Sequence, residues 1–211
     1  MKKSALFLAV VLTAASFCGA TVVVIDDFEG FQLSGWTNTA NLTLSISTTE
    51  YYHGSQSMKY TGNTWNSPWY TKAEKKLDPA NWGVSGEDWT GTTTFSMWVK
   101  PTSSNGCFKV SLVDCWGNNV YLMNWGRLAV TGNWVNLTWD LTGLDAYGDT
   151  LTAAEMENVG RIDIVTKKET TFDATSQSGT DSYYIDDIAI TPEPATMAIL
   201  SLGGLLLRRR K

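Results

Sequence analysis

The chain has 211 residues, 43% of them hydrophobic and 18% charged, with a formal net charge of −5 at neutral pH. Residues 1–20 and 195–211 hold six of the 16 Lys and Arg side chains and none of the 21 Asp and Glu, so the middle carries ten basic against 21 acidic side chains, a net of −11. So acidic a segment is repelled by phosphate backbones, which excludes nucleic acid as a partner, and its roughly 170 residues suffice for one well-filled core but not for two.

In chain order, Lys2 and Lys3 precede an apolar run from Ala5 to Phe17 and the small residues Cys18, Gly19 and Ala20. That order predicts a secretory signal peptide over 1–20, passage through the Sec translocon and cleavage after Ala20. Phe17 is too bulky for the small residue that lipid attachment at Cys18 requires before it.

From Leu42 onward apolar side chains alternate: Leu42, Leu44, Ile46; Met58, Tyr60; Phe95, Met97, Val99; Phe108, Val110, Leu112; Val135, Leu137, Trp139, Leu141; Ile162, Ile164; Tyr184, Ile188, Ile190. Period two with β-branched and aromatic enrichment, broken by Gly and Asn, predicts half-buried antiparallel strands. The class is therefore all-β, an antiparallel β-sandwich over residues 21–191. Thr152-Ala153-Ala154-Glu155 is a capping box and predicts one or two helical turns leading into Met156 and Val159. Only residues 170–182 have loop composition over a sizeable stretch. Cys107 and Cys115 flank one apparent strand, whose eight residue steps separate them by about 26 Å. A bridge tolerates a Cα separation of only ~7 Å, so free thiols are expected even though export permits a disulfide.

The end of the chain reads Thr191-Pro192-Glu193-Pro194-Ala195-Thr196, then an apolar run from Met197 to Leu207, then Arg208-Arg209-Arg210-Lys211. As a helix, 195–207 would measure about 20 Å against a hydrocarbon core of about 30 Å, so it holds in a membrane only shallowly. Its basic end stays on the cytoplasmic side, and the two prolines keep the junction extended. The order of these parts closely resembles the tail of the PEP-CTERM class of bacterial surface proteins. The resemblance implies a sorting tail over 192–211, processing by an exosortase near Pro192, Glu193, Pro194 and Ala195, and a transient stay in the inner membrane with Arg208, Arg209 and Arg210 inside. It also implies delivery to the surface or extracellular matrix of a Gram-negative, exopolysaccharide-making bacterium.

Catalysis finds little support in the sequence. His53 is the only histidine, so a Ser-His-Asp or Cys-His arrangement would have to be built on it. His-Glu-x-x-His, a phosphate-cradling glycine loop and CxxC are all missing from the sequence. Of the ten tryptophans, Trp139 has core parity and Trp134 opens a strand. Trp65, Trp69 and Tyr70 instead stand beside Asn and Ser, and Trp116, Trp125 and Arg127 among Asn, Asp and Gly. Trp98 alternates with Met97 and Val99 and belongs on an outer sheet face. Flat rings under the C–H face of a pyranose, with amides and carboxylates for its hydroxyls, suit a sugar site; core packing and loop pinning are the plainer uses of the same rings.

Val24-Ile25-Asp26-Asp27-Phe28-Glu29, His53-Gly54-Ser55-Gln56-Ser57-Met58, Phe95-Ser96-Met97-Trp98-Val99, Trp134 before Val135–Leu141, and Tyr184-Ile185-Asp186-Asp187-Ile188 together resemble the jelly-roll modules of the galactose-binding-like superfamily, many of them carbohydrate-binding modules. The resemblance implies non-catalytic binding of carbohydrate or exopolysaccharide. A purely structural envelope or biofilm-matrix protein and a small polysaccharide hydrolase or lyase are the alternative readings. It also implies a structural Ca²⁺ with Glu29, Asp186 and Asp27 as side-chain donors. Asp186 shares parity with Ile188 and Ile190 and is expected to face the core, where a carboxylate must be hydrogen-bonded, paired with a cation such as Lys59, or metal-bound.

Overall fold

A computed structural model describes residues 21–30, 32–39, 41–64, 70–169 and 174–193, without the side chains of Thr39, Asn124 and Trp125. The signal segment with Ala20, the segment carrying Trp65 and Trp69, and Pro194, Ala195 and the terminal arginines lie outside the described residues. Among those described, no helix is long and apolar enough to cross a membrane.

Among the described residues the strands are β1 (Val23–Asp26), β2 (Trp36–Thr39), β3 (Leu42–Ser47), β4 (Ser57–Asn63), β5 (Tyr70–Lys76), β6 (Thr92–Ser103), β7 (Cys107–Asp114), β8 (Asn119–Gly126), β9 (Val135–Asp140), β10 (Val159–Lys167) and β11 (Thr180–Pro192), with one short helix, α1 (Ala153–Met156), before β10. They form two antiparallel sheets. One runs β3-β4-β11-β6-β9, with β1 also paired to β11; the other runs β2-β5-β10-β7-β8.

Each sheet turns one side of its alternation inward. Phe95, Met97 and Val99 of β6, Leu137 of β9 and Tyr183 and Ile185 of β11 meet Phe108, Val110 and Leu112 of β7 and Ile162 and Ile164 of β10, all fully buried. Tyr183 sits edge-on to both Tyr60 (5.8 Å) and Phe108 (5.2 Å), a preferred geometry for ring quadrupoles. Every buried hydroxyl here needs an acceptor: Tyr60 donates to the Thr71 carbonyl (3.0 Å), and Tyr183 to Asp181 Oδ1 (3.2 Å). The capping box closes as the sequence predicts, with Glu155 N donating to Thr152 Oγ1 and Thr152 N to the Glu155 carboxylate, and α1 buries Met156. Cys107, at the start of β7, and Cys115, just past its end, are buried and not joined in a disulfide.

Asp186 corrects the parity argument. Ile185 pairs with Val99 and Asp186 with Trp98, but the next pairing is Ala189 with Ser96, across a bulge in which Asp187 adopts φ 44°. The bulge returns Ile188 and Ile190 to the core and leaves Asp186 on the outer side with Trp98, because counting back from Ile190 passes through the extra residue. Asp186 is nevertheless fully buried, under the 48–56 loop. At its far end β11 reaches Pro192, which pairs with Thr92, and Glu193 N donates to the Gly91 carbonyl (2.6 Å).

Candidate functional site

The outer face of the β2-β5-β10-β7-β8 sheet carries an unusual load. Thr71 and Ala73 of β5 and Ile162 and Ile164 of β10 turn inward, so Tyr70, Lys72, Glu74, Lys76, Arg161 and Asp163 point away from the second sheet. Antiparallel register places Thr37, Glu74, Asp163, Ser111 and Leu122 in one row across all five strands, with Lys72, Val165 and Lys109 in the next. An outer sheet face is ordinarily solvated, yet Asp163 is 3% and Lys109 6% exposed. Charges are almost never that buried unless paired, and these are. Arg161 grips Asp163 through Nε (2.5 Å) and a second guanidinium nitrogen (2.9 Å), Lys72 Nζ lies 2.5 Å from Glu74 and 3.4 Å from Asp163, and Lys109 Nζ lies 3.2 Å from Glu169.

Electrostatics follow from that packing. Burial raises the Asp163 carboxyl more than Arg161 and Lys72 lower it. Burial also works to raise Glu74, but the Lys72 hydrogen bond and the Arg161 charge prevail and hold it low. For Lys72 burial is again outweighed, here by Glu74 and Asp163, so its ammonium is held above the ordinary lysine value. The result is a strip of fixed donors and acceptors with little net charge.

Trp82 marks one end of the strip. Its loop is tied down by Asp78, which accepts from Ala80 N and Asn81 N, and by Gly83 N, which donates to the Cys115 carbonyl (2.9 Å). The indole lies over Lys76 (4.8 Å) and Arg161 (5.3 Å), a cation–π arrangement. Beside it stands the β7–β8 hairpin, where Asp114 accepts from Trp116 N and Asn118 N and leaves Trp116 57% exposed at the tip. Tyr70, at the start of β5, marks the other end, about 20 Å away along the strand.

The structure therefore divides the residues expected in one sugar site. Tyr70 and Trp116 belong to opposite ends of this face, and Trp98 lies on the other sheet. Arg127 is occupied with main chain, its Nε donating to the Ser104 carbonyl (2.7 Å) and Nη1 to that of Thr175 (3.3 Å). Trp65, Trp69 and the Trp125 side chain are outside the described residues. Lys72, Glu74, Arg161, Asp163 and Trp82 were missed; the alternating charge in Tyr70–Lys76 and in Arg161-Ile162-Asp163 is the signal that marks them.

Glu29 and Asp186 act as clamps on the 52–56 turn. Glu29 accepts from Ser55 N (2.8 Å), Gln56 N (2.9 Å) and Ser55 Oγ (2.8 Å). Asp186 accepts from Tyr52 N (2.8 Å), His53 N (3.2 Å) and Asp187 N (2.9 Å). Burial pushes Asp186 up to about 6. Asp27 accepts from Glu29 N, and Lys59 lies over the Tyr184 ring instead of pairing with Asp186. Among the described residues no three His, Cys, Asp or Glu side chains are grouped to hold a metal ion.

Searches for relatives find no matching family model and no matching curated protein. Solved structures do match. The family 11 carbohydrate-binding module of a cellulosomal cellulase of Clostridium thermocellum superposes with a TM-score of 0.56 at 12% identity, covering 83% of this chain and 96% of that one. A family 11 module from the same organism, in complex with a β-1,3-1,4-mixed-linked tetrasaccharide, gives 0.53 at 16%, covering 82% and 96%. An exo-β-agarase gives 0.58 at 16%, covering 81% of this chain but only 25% of its own. The chain has the antiparallel jelly-roll sandwich of carbohydrate-binding modules.

Proposed function

We propose that this protein is an exported, non-catalytic carbohydrate-binding protein whose binding face is the outer side of the β2-β5-β10-β7-β8 sheet. The observation that carries the reading is the half-buried, charge-compensated strip of Lys72, Glu74, Arg161, Asp163 and Lys109 lying between Trp82 and Tyr70 on this fold. Sugar hydroxyls need donors and acceptors held at fixed positions, and ion pairs that lock one another supply both without attracting a charged ligand. Aromatic rings at the ends offer flat apolar surface to pyranose C–H faces. Glu74 and Asp163 face each other across β5 and β10, a feature a hydrolase would use, but Arg161 and Lys72 hold both carboxylates in ion pairs, which fixes them in place as hydrogen-bonding groups and suits binding. Export rests on the 1–20 segment, and sorting to the surface by an exosortase on residues 192–211; both are read from sequence motifs.

The test is calorimetric titration of the purified chain with mixed-linkage β-glucan, xylan and agarose oligosaccharides, repeated on Trp82→Ala and Arg161→Met. Saturable heat that both substitutions weaken supports the face; binding that neither affects places it elsewhere.

A further inference from the structure

A second aromatic surface lies on the opposite side of the sandwich. Trp98 stands between the core residues Met97 and Val99 of β6 and points outward from the β3-β4-β11-β6-β9 sheet. Tyr52, from the loop before β4, lies flat upon it with ring centroids 3.7 Å apart and planes 13° from parallel. Trp134 meets Tyr52 edge-on at 6.1 Å. The loop that carries Tyr52 is fixed by the Asp186 and Glu29 clamps and by Ser57 Oγ donating to the Glu50 carbonyl. One face of the Tyr52 ring is thus covered by indole while the residue remains 43% exposed.

Polar groups surround this ring. Asn136 is opposite Trp98 on β9 and exposed. Lys100 Nζ is 2.6 Å from Glu50 Oε2, and His53 Nδ1 is 3.8 Å from Asp187 Oδ2. Lys100 offsets Glu50, and His53 offsets Asp187 only when protonated, so the platform offers hydrogen-bonding groups and no surplus positive charge. An anionic polymer would also meet a domain of net charge −11. A pinned, flat, half-exposed ring with a polar rim that carries no surplus positive charge matches the C–H face and hydroxyls of a neutral pyranose, and nothing in it attracts a phosphate or an acidic surface.

We propose that Tyr52, stacked on Trp98 and flanked by Trp134, is a second glycan site, and that the domain is bivalent, joining two neutral polysaccharide chains on its opposite faces. The bivalency rests on the charged strip being the first site; the platform itself does not. Two sites facing away from each other cannot close on one short oligosaccharide, but on polymers they act as a cross-link, with avidity set by chain length.

The experiment uses the full chain with the β-1,3-1,4-linked tetrasaccharide in calorimetry and the corresponding soluble polymer in light scattering. The wild type is expected to bind two tetrasaccharides per chain and to cluster the polymer. Tyr52→Ala and Trp82→Ala should each bind one and lose clustering, while Tyr52→Phe, which keeps the ring, should retain both; melting curves check that each variant is folded. Should Tyr52→Ala fail to fold, quenching of the Trp98 signal by tetrasaccharide, measured as the wild type minus Trp98→Phe fluorescence difference, decides the same point. A single site removed by Trp82→Ala and indifferent to Tyr52→Ala overturns the platform and leaves the strip standing. A single site removed only by Tyr52→Ala overturns the strip and the bivalency but keeps the platform. Absence of binding to mixed-linkage glucan, xylan and agarose oligosaccharides overturns both.

Discussion

Replacing Asp186 by Asn removes a fully buried carboxylate while keeping its shape. Burial lifts this group from 3.8 to about 6, so between those values the folded chain holds the proton more tightly than the unfolded one. Its contribution to stability is therefore complete below about pH 4 and is lost as the pH rises through 6. A rise of that size corresponds to about 3 kcal/mol. Asparagine does not titrate, so Asp186→Asn should gain about 3 kcal/mol on the wild type between pH 4 and 7. A constant offset of about 1 kcal/mol opposes it, because the amide oxygen can keep the Tyr52 and His53 N–H groups while its NH₂ faces that of Asp187. Urea unfolding of both proteins, followed by tryptophan fluorescence at four pH values, gives the difference directly. The difference is the proper quantity, since burial also raises Asp163, Asp181 and Asp187 while hydrogen bonds hold Asp145 down. A flat difference, or a mutant that loses ground as pH rises, would refute the reasoning. Loss of ground seen only with excess Ca²⁺, and not with chelator, would instead put a cation on Asp27, Glu29 and Asp186.

Trp82→Ala should weaken glucan binding at the strip about a hundredfold, roughly 2.8 kcal/mol, so that only the other site is seen, with an unchanged unfolding midpoint; calorimetry and melting together check it. Asp163→Ala takes from Arg161 its two-point partner at a buried position and leaves Glu74 alone to serve both Arg161 and Lys72, and should cost about 3 kcal/mol. That lowers the melting temperature of a domain this size by about 6–12 °C. Gly54→Ala forces a side chain onto φ +66° and into the Glu29 carboxylate, so a loss of about 1–2 kcal/mol is expected; an unchanged melting curve would mean the 52–56 turn is not clamped this way. Cys107 and Cys115 are buried, and burial raises the Cys115 thiol, so both should react with a thiol reagent only after denaturant is added.

Strands with one apolar face were legible because pleating turns the core into a period of two: Phe95, Met97 and Val99, or Phe108, Val110 and Leu112, announce themselves. β5 was not, since its core residues are Thr71 and Ala73, and the informative alternation there is of charge. β2, reading Trp36-Thr37-Asn38-Thr39, has too little apolar content to register. The outward direction of Trp98 followed from parity, but its partner Tyr52 comes from a loop whose path is set by hydrogen bonds to Asp186 and Glu29. Asp186 itself was misplaced because a bulge is invisible to counting. Trp82 reaches Arg161 through a main-chain bond to Cys115, a contact between distant segments that no local pattern encodes. Arg127 looked like a hydroxyl donor until its guanidinium met the Ser104 and Thr175 carbonyls.

The middle of the β3-β4-β11-β6-β9 sheet is its last strand in sequence. Until Thr180–Pro192 exists, the β3-β4 hairpin and the β6-β9 pair have no common edge, and β1 has no neighbour at all. A chain emerging from its N-terminus therefore cannot complete this sheet early, and pairings as remote as Val23 with Ile190 place closure among slow, high-contact-order events. Shortening the chain before Thr180 would yield not a smaller domain but one without its keystone strand.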